Sequence, residues 1–509
     1  ISLVLDTMVL SGKRLAEYKT WHKLNMEVLQ RTANRGSIST GGYEVANSLK
    51  NEPDNGERFD TGDKFTNYSS VRKFTVSGWF KRTELSVQSL IWFNVNTATS
   101  INLQFEAGDY LSIILQDNVG NGVESYAKTS ALFRDTAAWY HVVLAVDTTD
   151  GTAADRTKIY VNGVNQTLVQ GNGSYDTFPA QNYDCPLQTR HYLLGYDGGN
   201  NGFRGYAAEY YFLDGITASP TDFGEFDEDS GIWKPIEYTG GFGNEGYYLD
   251  FEDASALGKD VSSNNQGNFS HYGGSAADQA TDTPTNNFCT LNLQVSNYAN
   301  TGGATDGGTF MNVSGVNAFK AYYGTQGFTK GKWYWESYIV SRSGSYGLTN
   351  DMGVHTMENL ILTDPYYATS FKYSYYLNFH YGYTYAWING SKSSRNSEDG
   401  FPDLGASSVG KWVGLAFNAD DGEATWYIDG TQTGNANLDI YDLHDRLQEG
   451  VFGVPFFQVY DNDLKVNFGG YSSQAISSGN TDANGYGNFE YAVPSGYYSI
   501  CTKNLAEFG

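Results

Sequence analysis

Carboxylates, aspartate-rich turns and tyrosines are the residues of this chain whose type and spacing could do chemistry. Glu225, Asp227 and Asp229 alternate in the run EFDED, so an extended backbone would put all three on one face. Paired carboxylates flanking a cleft are what glycoside hydrolysis requires. The run lies between Pro220 and Gly231 without the β-branched or aromatic-rich neighbours of a buried strand. It therefore reads as an exposed loop, where nothing raises the pKa of an acid catalyst. Asp147, Asp150 and Asp155 crowd one expected turn, and Asp461 with Asp463 another. Oxygen-rich loops of this sort can hold calcium, but neither follows a D-x-D-x-D-G spacing, and turn aspartates commonly serve backbone N–H groups. No G-x-S-x-G, H-E-x-x-H or G-x-x-x-x-G-K-[ST] occurs, and the seven histidines are scattered, His141 falling inside a strand pattern. The expectation is a chain that is not an enzyme, with calcium the one candidate cofactor.

Aromatic residues offer a binding chemistry instead. Tyr373, Tyr375, Phe379, Tyr381, Tyr383, Tyr385 and Trp387 all occupy odd positions, with Tyr376 the exception and Gly382 a bend candidate. If the run is extended, one face carries a nearly unbroken aromatic stripe. Such a stripe is more often a sandwich core than a ligand platform. Tyrosine nonetheless joins an apolar ring to a hydroxyl, and sugars present apolar C–H faces ringed by hydroxyls, so a partly exposed stripe suits glycan or protein contact. Tyr346, Tyr366 and Tyr367 are assigned to the same candidate surface.

The elements that must position these residues follow from composition. The chain has 509 residues, with 59 Gly, 40 Tyr, 16% aromatic and only 17% charged residues, a balance that favours strands joined by tight turns. Its formal charge of −25 argues against nucleic acid, whose phosphates need Lys and Arg. No run of about 18 apolar residues is present, so no membrane insertion is expected. The apolar opening Ile1 to Leu10 lacks a basic n-region and reads as no signal peptide. Cys185, Cys289 and Cys501 are far apart and odd in number, so free thiols are expected.

Residues 1–36 carry six basic and three acidic side chains, leaving −28 on the remainder. Leu15, Tyr18, Trp21, Val28 and Leu29 recur at approximate helical spacing, with Gly36 as a stop. This predicts an N-terminal helix, either a lid on the next domain or a docking element for an acidic partner. Residues 37–251 then show short strands, of which Phe74, Val76, Gly78 and Phe80 alternating with Thr75, Ser77, Trp79 and Lys81 is the clearest. Residues 252–290 are poor in apolar side chains and read as a polar connector, 291–470 as a second block of strands, and 471–509 as a tail strapped across a surface. The fold class is all-β, tandem jelly-roll sandwiches with a short N-terminal helix. An internal echo supports two related sandwiches: WYHVVLAVD, then Asp150-Gly151, then IYVNG at 159–163 is matched by WVGLAFN, then Asp421-Gly422, then WYIDG at 426–430.

At these residues the chain resembles two families. FTVSGWFKR at 74–82, AWYHVVLAVD at 138–147, KIYVNGV at 158–164 and YAAEYYFLDG at 206–215 resemble the laminin-G-like, concanavalin-type jelly rolls. GKWYWE at 331–336, GKWVGLAFNADDGEATWYIDG at 410–430 and VPFFQVYDNDLKVNFG at 454–469 resemble a SPRY domain. The order of these blocks, with GIWKPIEYTG at 231–240 and TDTPTNNF at 281–288 between them, resembles structural proteins of marine tailed phages, including fibre-like appendages. The resemblance implies a virion protein, bound to other virion proteins through its N-terminal segment and to host-surface glycan or protein elsewhere. A symmetric oligomer, with a trimer as the guess, is expected of a fibre. The competing readings are a capsid or tail decoration protein without host contact, and a concanavalin-fold glycan-degrading enzyme. The calcium expectation is strengthened by the laminin-G-like resemblance.

Overall fold

The computed structural model describes residues 42–53, 56–96, 99–117, 122–196, 201–228, 230–292, 304–315, 319–341, 350–359, 373–379, 382–388, 391–396, 401–402, 404–436 and 443–509. The expected helix of residues 1–36 lies outside these. Among the described residues the protein is all-β, four large, almost wholly antiparallel sheets stacked in pairs, with only two short α-helices, Leu443–Gln448 and Thr502–Phe508.

The first sandwich grows from the alternation seen around Phe74. In its inner sheet, the strand Lys73–Arg82 is flanked by Trp139–Asp147 on one side and Gly205–Asp214 on the other. Ser48–Asn51 and Gln279–Ala280 extend the sheet beyond Gly205–Asp214, and Thr157–Val161 extends it beyond Trp139–Asp147. The facing sheet runs Leu168–Gln170, Gly122–Thr129, Leu111–Asp117, Thr99–Phe105, Gln88–Asn96, His191–Leu193, Arg58–Asp60, Ser270–Tyr272. Neighbouring strands distant in sequence are the crossovers of a jelly roll. Phe74, Val76 and Phe80 from one sheet meet Phe93, Ile101, Leu103 and Ile113 from the other, all buried in one apolar cluster.

The second sandwich repeats the plan. One sheet orders Phe319–Gly324, Gly453–Tyr460, Asn350–Thr356, Tyr373–Asn378, Tyr383–Ile388 and Ser391–Asn396, and the other centres on Lys332–Ile339 beside Trp412–Asn418. Trp333, Trp335, Met352, Leu415, Trp426 and Phe457 fill the space between. The internal echo is structural. Trp139–Asp147 with Thr157–Val161, and Trp412–Asn418 with Glu423–Ile428, are both antiparallel pairs whose second strand leads into a third through an Asx-Gly turn at positive φ, Asn162-Gly163 (48°, 76°) and Asp429-Gly430 (47°, 75°). In each, the Asx carboxamide or carboxylate oxygen accepts a backbone N–H of the partner strand, His141 in one and Trp412 in the other. That bond is why Asx rather than any turn residue occupies the position.

The polar connector expected at 252–290 meets a different arrangement. Residues 252–280 belong to the first sandwich, and only 281–290 run along the seam into the second. Ser270–Tyr272 edges one sheet of the first sandwich, Gln279–Ala280 edges the other, and Leu257 and Phe269 enter its core. Short edge strands need only one or two inward apolar residues, so their composition looks like a linker. Polar side chains do the rest: Asp260 accepts hydrogen bonds from the N–H groups of Tyr248, Ser262 and Gln266. The C-terminal residues from 471 sheathe the outer face of the Lys332–Ile339 sheet. Tyr498–Ser499 pairs parallel to that strand, Phe489 packs edge-on against Tyr334, and Ile500 and Leu505 reach the second core.

The sandwiches meet along a polar seam. Lys81, fully buried, contacts Asp282 at 2.6 Å, Asn287 Oδ1 at 2.7 Å and the Phe288 carbonyl at 2.8 Å. Lys50 lies 2.8 Å from Asp278, 2.9 Å from Asp306 and 3.8 Å from Glu57, under the ring of Tyr471. Asp306 belongs to the second sandwich, as does Gly307, whose carbonyl accepts the Tyr206 hydroxyl. Replacing one partner of a buried pair leaves an uncompensated charge. Lys50→Met is therefore expected to destabilise the chain by about 3–5 kcal/mol in urea unfolding, whereas Lys503→Ala, which breaks the more exposed pair with Glu44, should cost less than about 1 kcal/mol.

Candidate functional site

Of the outward-facing sheet surfaces, the inner sheet of the first sandwich is covered by the seam and the Lys332–Ile339 sheet by the C-terminal segment. The facing sheet of the first sandwich keeps a partly exposed aromatic outer face, on which Trp92, Tyr126 and Tyr196 are half-buried and Tyr192 is buried. Because its strands are antiparallel and paired in register, Ser270, Asp60, Tyr192, Trp92, Asn102, Ile114 and Tyr126 form a single row across seven strands. At strand spacing the row is roughly 30 Å long. Its neighbours along each strand point into the core, as Phe59, Leu193, Phe93, Leu103 and Ile113 do.

Trp92 is half-buried and stacks on Tyr196 with ring centroids 4.4 Å apart. Its indole N–H has no hydrogen-bond partner among the described residues. Beside it runs a directed chain of polar groups. Ser89 Oγ donates to Asn102 Oδ1, Asn102 Nδ2 to Gln104 Oε1 at 2.5 Å, and Gln104 Nε2 to Glu106 Oε1 at 2.7 Å. The hydroxyls of Ser112 and Tyr126 donate to the same carboxylate oxygen. All of these bonds fall on Oε1, so the half-buried Glu106 carboxylate keeps Oε2 as an acceptor with no donor among the described residues. The backbone of Gly171 lies directly on the Tyr126 ring, where a Cβ would stand only 2.1 Å from Cδ2. The surface thus combines stacked rings, an unused N–H donor and an unused carboxylate acceptor.

The aromatic run of the second sandwich is divided by a hairpin. Tyr373–Asn378 and Tyr383–Ile388 pair antiparallel with Gly382 at φ 63° in the turn. The register sets Tyr376 opposite Tyr385 and Ser374 opposite Trp387, odd against even. The expected single-faced stripe is therefore corrected: a turn between the halves switches the face that odd positions occupy. Tyr373 and Tyr375 face the second core, Tyr375 near Trp426 and Tyr373 beneath the Arg446 guanidinium. Tyr376, Tyr385 and Trp387 pack on the other face with Tyr323 and Phe456, and Tyr383 alternates onto that face with them. Tyr346, Tyr366, Tyr367 and Tyr381, like Leu15, Tyr18, Trp21, Val28 and Leu29, lie outside the described residues.

The acidic turns spend their carboxylates on the protein. Asp147 binds Lys73 and Thr149, which hold it below the usual carboxylate range against the opposing effect of burial. Asp150 caps the N–H of Thr152, and Asp155 pairs with Lys158. Asp463 accepts the N–H groups of Val313 and Ser314, and Asp461 that of Gly315. Asp147, Asp150 and Asp155 do not form a group that could share one ion; among the described residues Glu57, His271 and Asp278 do. There the Lys50 ammonium already stands 2.8 Å from Asp278, a cation supplied by the chain. Glu225 and Asp227 sit on a small hairpin, Gly224–Phe226 with Trp233–Pro235, both bound to Lys234, and Ser230 holds Asp227 down at about 2. Asp229 lies outside the described residues.

Strand interiors hold titratable groups that belong to no sequence motif. His141 Nε2 lies 2.9 Å from Ser77 Oγ, which resembles a base and nucleophile. Trp233 donates its indole N–H to His141 Nδ1, so the neutral ring carries its proton on Nε2 and donates to Ser77. A ring in that tautomer cannot accept the serine proton, and burial lowers its pKa to about 3. Glu209 stands at φ 52° in a bulge of Gly205–Asp214, its carboxylate held by the hydroxyls of Tyr43, Tyr211 and Tyr248 at 2.8–3.0 Å. Glu336 accepts the N–H groups of Glu490 and Tyr491, the Tyr334 hydroxyl and the Asn467 amide. Burial raises each to about 7. They belong to different sandwiches, so they do not make a catalytic pair. Their sequence signal was a lone glutamate inside an aromatic strand, AEYYF and WYWES.

Residues 54–214 match the family model described as Concanavalin A-like lectin/glucanases superfamily (Laminin_G_3). A search of curated proteins found no match. Among solved structures, the SPRY domain of human HERC1 is similar at 14% identity, covering 36% of this chain and 99% of that one, with a TM-score of 0.25. A putative carbohydrate binding protein from Bacteroides ovatus is similar at 16% identity, covering 45% and 59%, with a TM-score of 0.30. The Ruminococcus gnavus IT-sialidase CBM40, bound to α2,3-sialyllactose, is similar at 15%, covering 37% and 96%, with a TM-score of 0.25. The first sandwich is a concanavalin-like jelly roll.

The two glutamates give the fold a pH dependence of definite sign. Each folded pKa near 7 lies above its ordinary 4.5, so the folded state binds the extra proton and stability is lost as pH rises through 7. The unfolding free energy from urea titration should fall between pH 5 and pH 8, by roughly 3 kcal/mol per glutamate. Glu209→Gln should remove one share of that slope.

Proposed function

We propose that this chain is a glycan-binding protein without catalytic activity, and that the outer row around Trp92 is its binding surface. The observation that carries this reading is the juxtaposition of the Trp92–Tyr196 stack, with its unused N–H, and the Glu106 oxygen left free by the Asn102–Gln104 chain. Pyranose rings stack their C–H faces on such aromatics and offer hydroxyls that both accept and donate. The concanavalin-like jelly roll of residues 54–214 is consistent with this chemistry. The order of laminin-G-like and SPRY-like blocks around TDTPTNNF supports placing the protein on a phage virion as a fibre-like appendage that contacts the host. There, a closed oligomer such as a trimer would raise the avidity of weak sites by roughly 10²–10⁴.

Purified chain is expected to bind immobilised bacterial surface polysaccharide without releasing reducing ends. Trp92→Ala should weaken binding roughly tenfold, about 1.4 kcal/mol, with an unchanged melting temperature. Release of reducing ends would overturn the non-catalytic reading. Binding that survives Trp92→Ala but is lost in Trp387→Ala would move the site to the second sandwich, and absence of binding to any polysaccharide would favour a decoration protein.

A further inference from the structure

The seam holds a constellation that the binding role does not use. Lys81, Asp282 and Asn287 are each fully buried, and they come from two parts of the chain about 200 residues apart. The lysine nitrogen is 2.6 Å from Asp282 Oδ2 and 2.7 Å from Asn287 Oδ1. Trp139 donates its indole N–H to Asp282 Oδ1 at 3.1 Å, and the Tyr206 ring lies 5.6 Å from the ammonium. Asn287 Nδ2 donates to the Ala137 carbonyl at 2.7 Å, which fixes which face of the amide the lysine meets. An amine, a carboxamide carbon and a carboxyl group are thus gathered in a site closed to water.

From this geometry we propose that Lys81 and Asn287 react spontaneously to form an intramolecular isopeptide bond, with Asp282 as the proton carrier. The C=O bond of the amide is about 1.2 Å long. Its carbon therefore comes within the ~3–3.5 Å reacting distance of Lys81 Nζ after a small rotation of the side chain. The ammonium first gives a proton to the Asp282 carboxylate, leaving a nitrogen lone pair. Burial, which raises the Asp282 carboxyl above the usual carboxylate range, favours the neutral pair. The lone pair attacks Asn287 Cγ, the new Nζ–Cγ bond forms, and the Cγ–Nδ2 bond breaks. Asp282 returns its proton to the departing nitrogen, and the second proton lost by Nζ follows it. In sum, one alkylammonium and one carboxamide become one secondary amide and one ammonium ion, with no oxidant or other reactant. Exclusion of water keeps hydrolysis from competing.

Lys50 is a built-in contrast. It too is buried, but the partners at its ammonium are the carboxylates of Asp278, Asp306 and Glu57, which when ionised resist attack by an amine. The reaction is thus assigned to one lysine. Its product would join the strand Lys73–Arg82 of the first sandwich to the segment that runs into the second, making the seam covalent.

Intact mass spectrometry of the folded full-length chain tests this. The expected mass is lower than the sequence mass by one ammonia, and trypsin should yield a branched peptide in which Phe74–Arg82, uncut at Lys81, is joined to 260–320. Asp282→Asn and Lys81→Met should each restore the full mass of their sequence and release the two peptides separately. A folded wild-type chain with the full sequence mass would overturn the proposal. So would an ammonia loss with the two peptides unlinked, which is succinimide formation at an asparagine. A branched peptide persisting in Asp282→Asn would overturn the role of Asp282 as proton carrier.

Discussion

The contact between Lys81 and Asp282 organises the rest of the molecule. An ammonium removed from water is costly unless a carboxylate and further acceptors replace the solvent around it. Asp282, Asn287 and the Phe288 carbonyl do so here, and all three lie in the TDTPTNNF segment. That segment cannot leave without stranding a charge in the first sandwich. It in turn binds Thr502 and Gln326 of the second sandwich, through the Asn287 N–H and carbonyl. Apolar burial alone is non-directional and would tolerate some sliding between the two bodies. Charge pairs of fixed geometry do not.

This polar seam also decides which surfaces remain for recognition. By occupying the outer side of the Lys73–Arg82 sheet it leaves the opposite sheet of the first sandwich as an outward surface. The C-terminal segment does the same to the Lys332–Ile339 sheet, docking its backbone on the buried Glu336 carboxylate. Candidate recognition chemistry accordingly sits on the half-buried Trp92 and Tyr126 of that row, with Tyr192 and Asn102 buried beside them. The strained backbone at Glu209 is part of the same division of labour. A non-glycine residue at φ 52° costs about 1–3 kcal/mol, and three tyrosine hydroxyls hold it there, one of them Tyr43 from the chain entering the first sandwich.

Much of this was legible in the residues themselves. The alternation of Phe74 to Lys81, the run WYHVVLAVD and the Asx-Gly turns at 162–163 and 429–430 all mark strands and hairpins that the structure contains. These signals are local: side-chain alternation and positive φ are properties of a few consecutive residues. The aromatic run at 373–387 misled for the same reason. Its period of two was real within each strand, but a turn between Asn378 and Tyr383 reversed the parity, and local alternation carries no information on what a turn does to the face.

The amino-acid sequence by itself determined an acidic, aromatic, all-β chain with two related sandwiches. Only the tertiary structure decided that a linker-like segment would be buried as the seam, that Lys81 would meet a carboxylate 201 residues away, and that Trp92 and Glu106 would share a surface. Composition cannot report such things, because a polar residue in a solvated loop and one in a dry interface are the same letter. What separates them is the free energy of desolvation, which depends on every element that packs around the group.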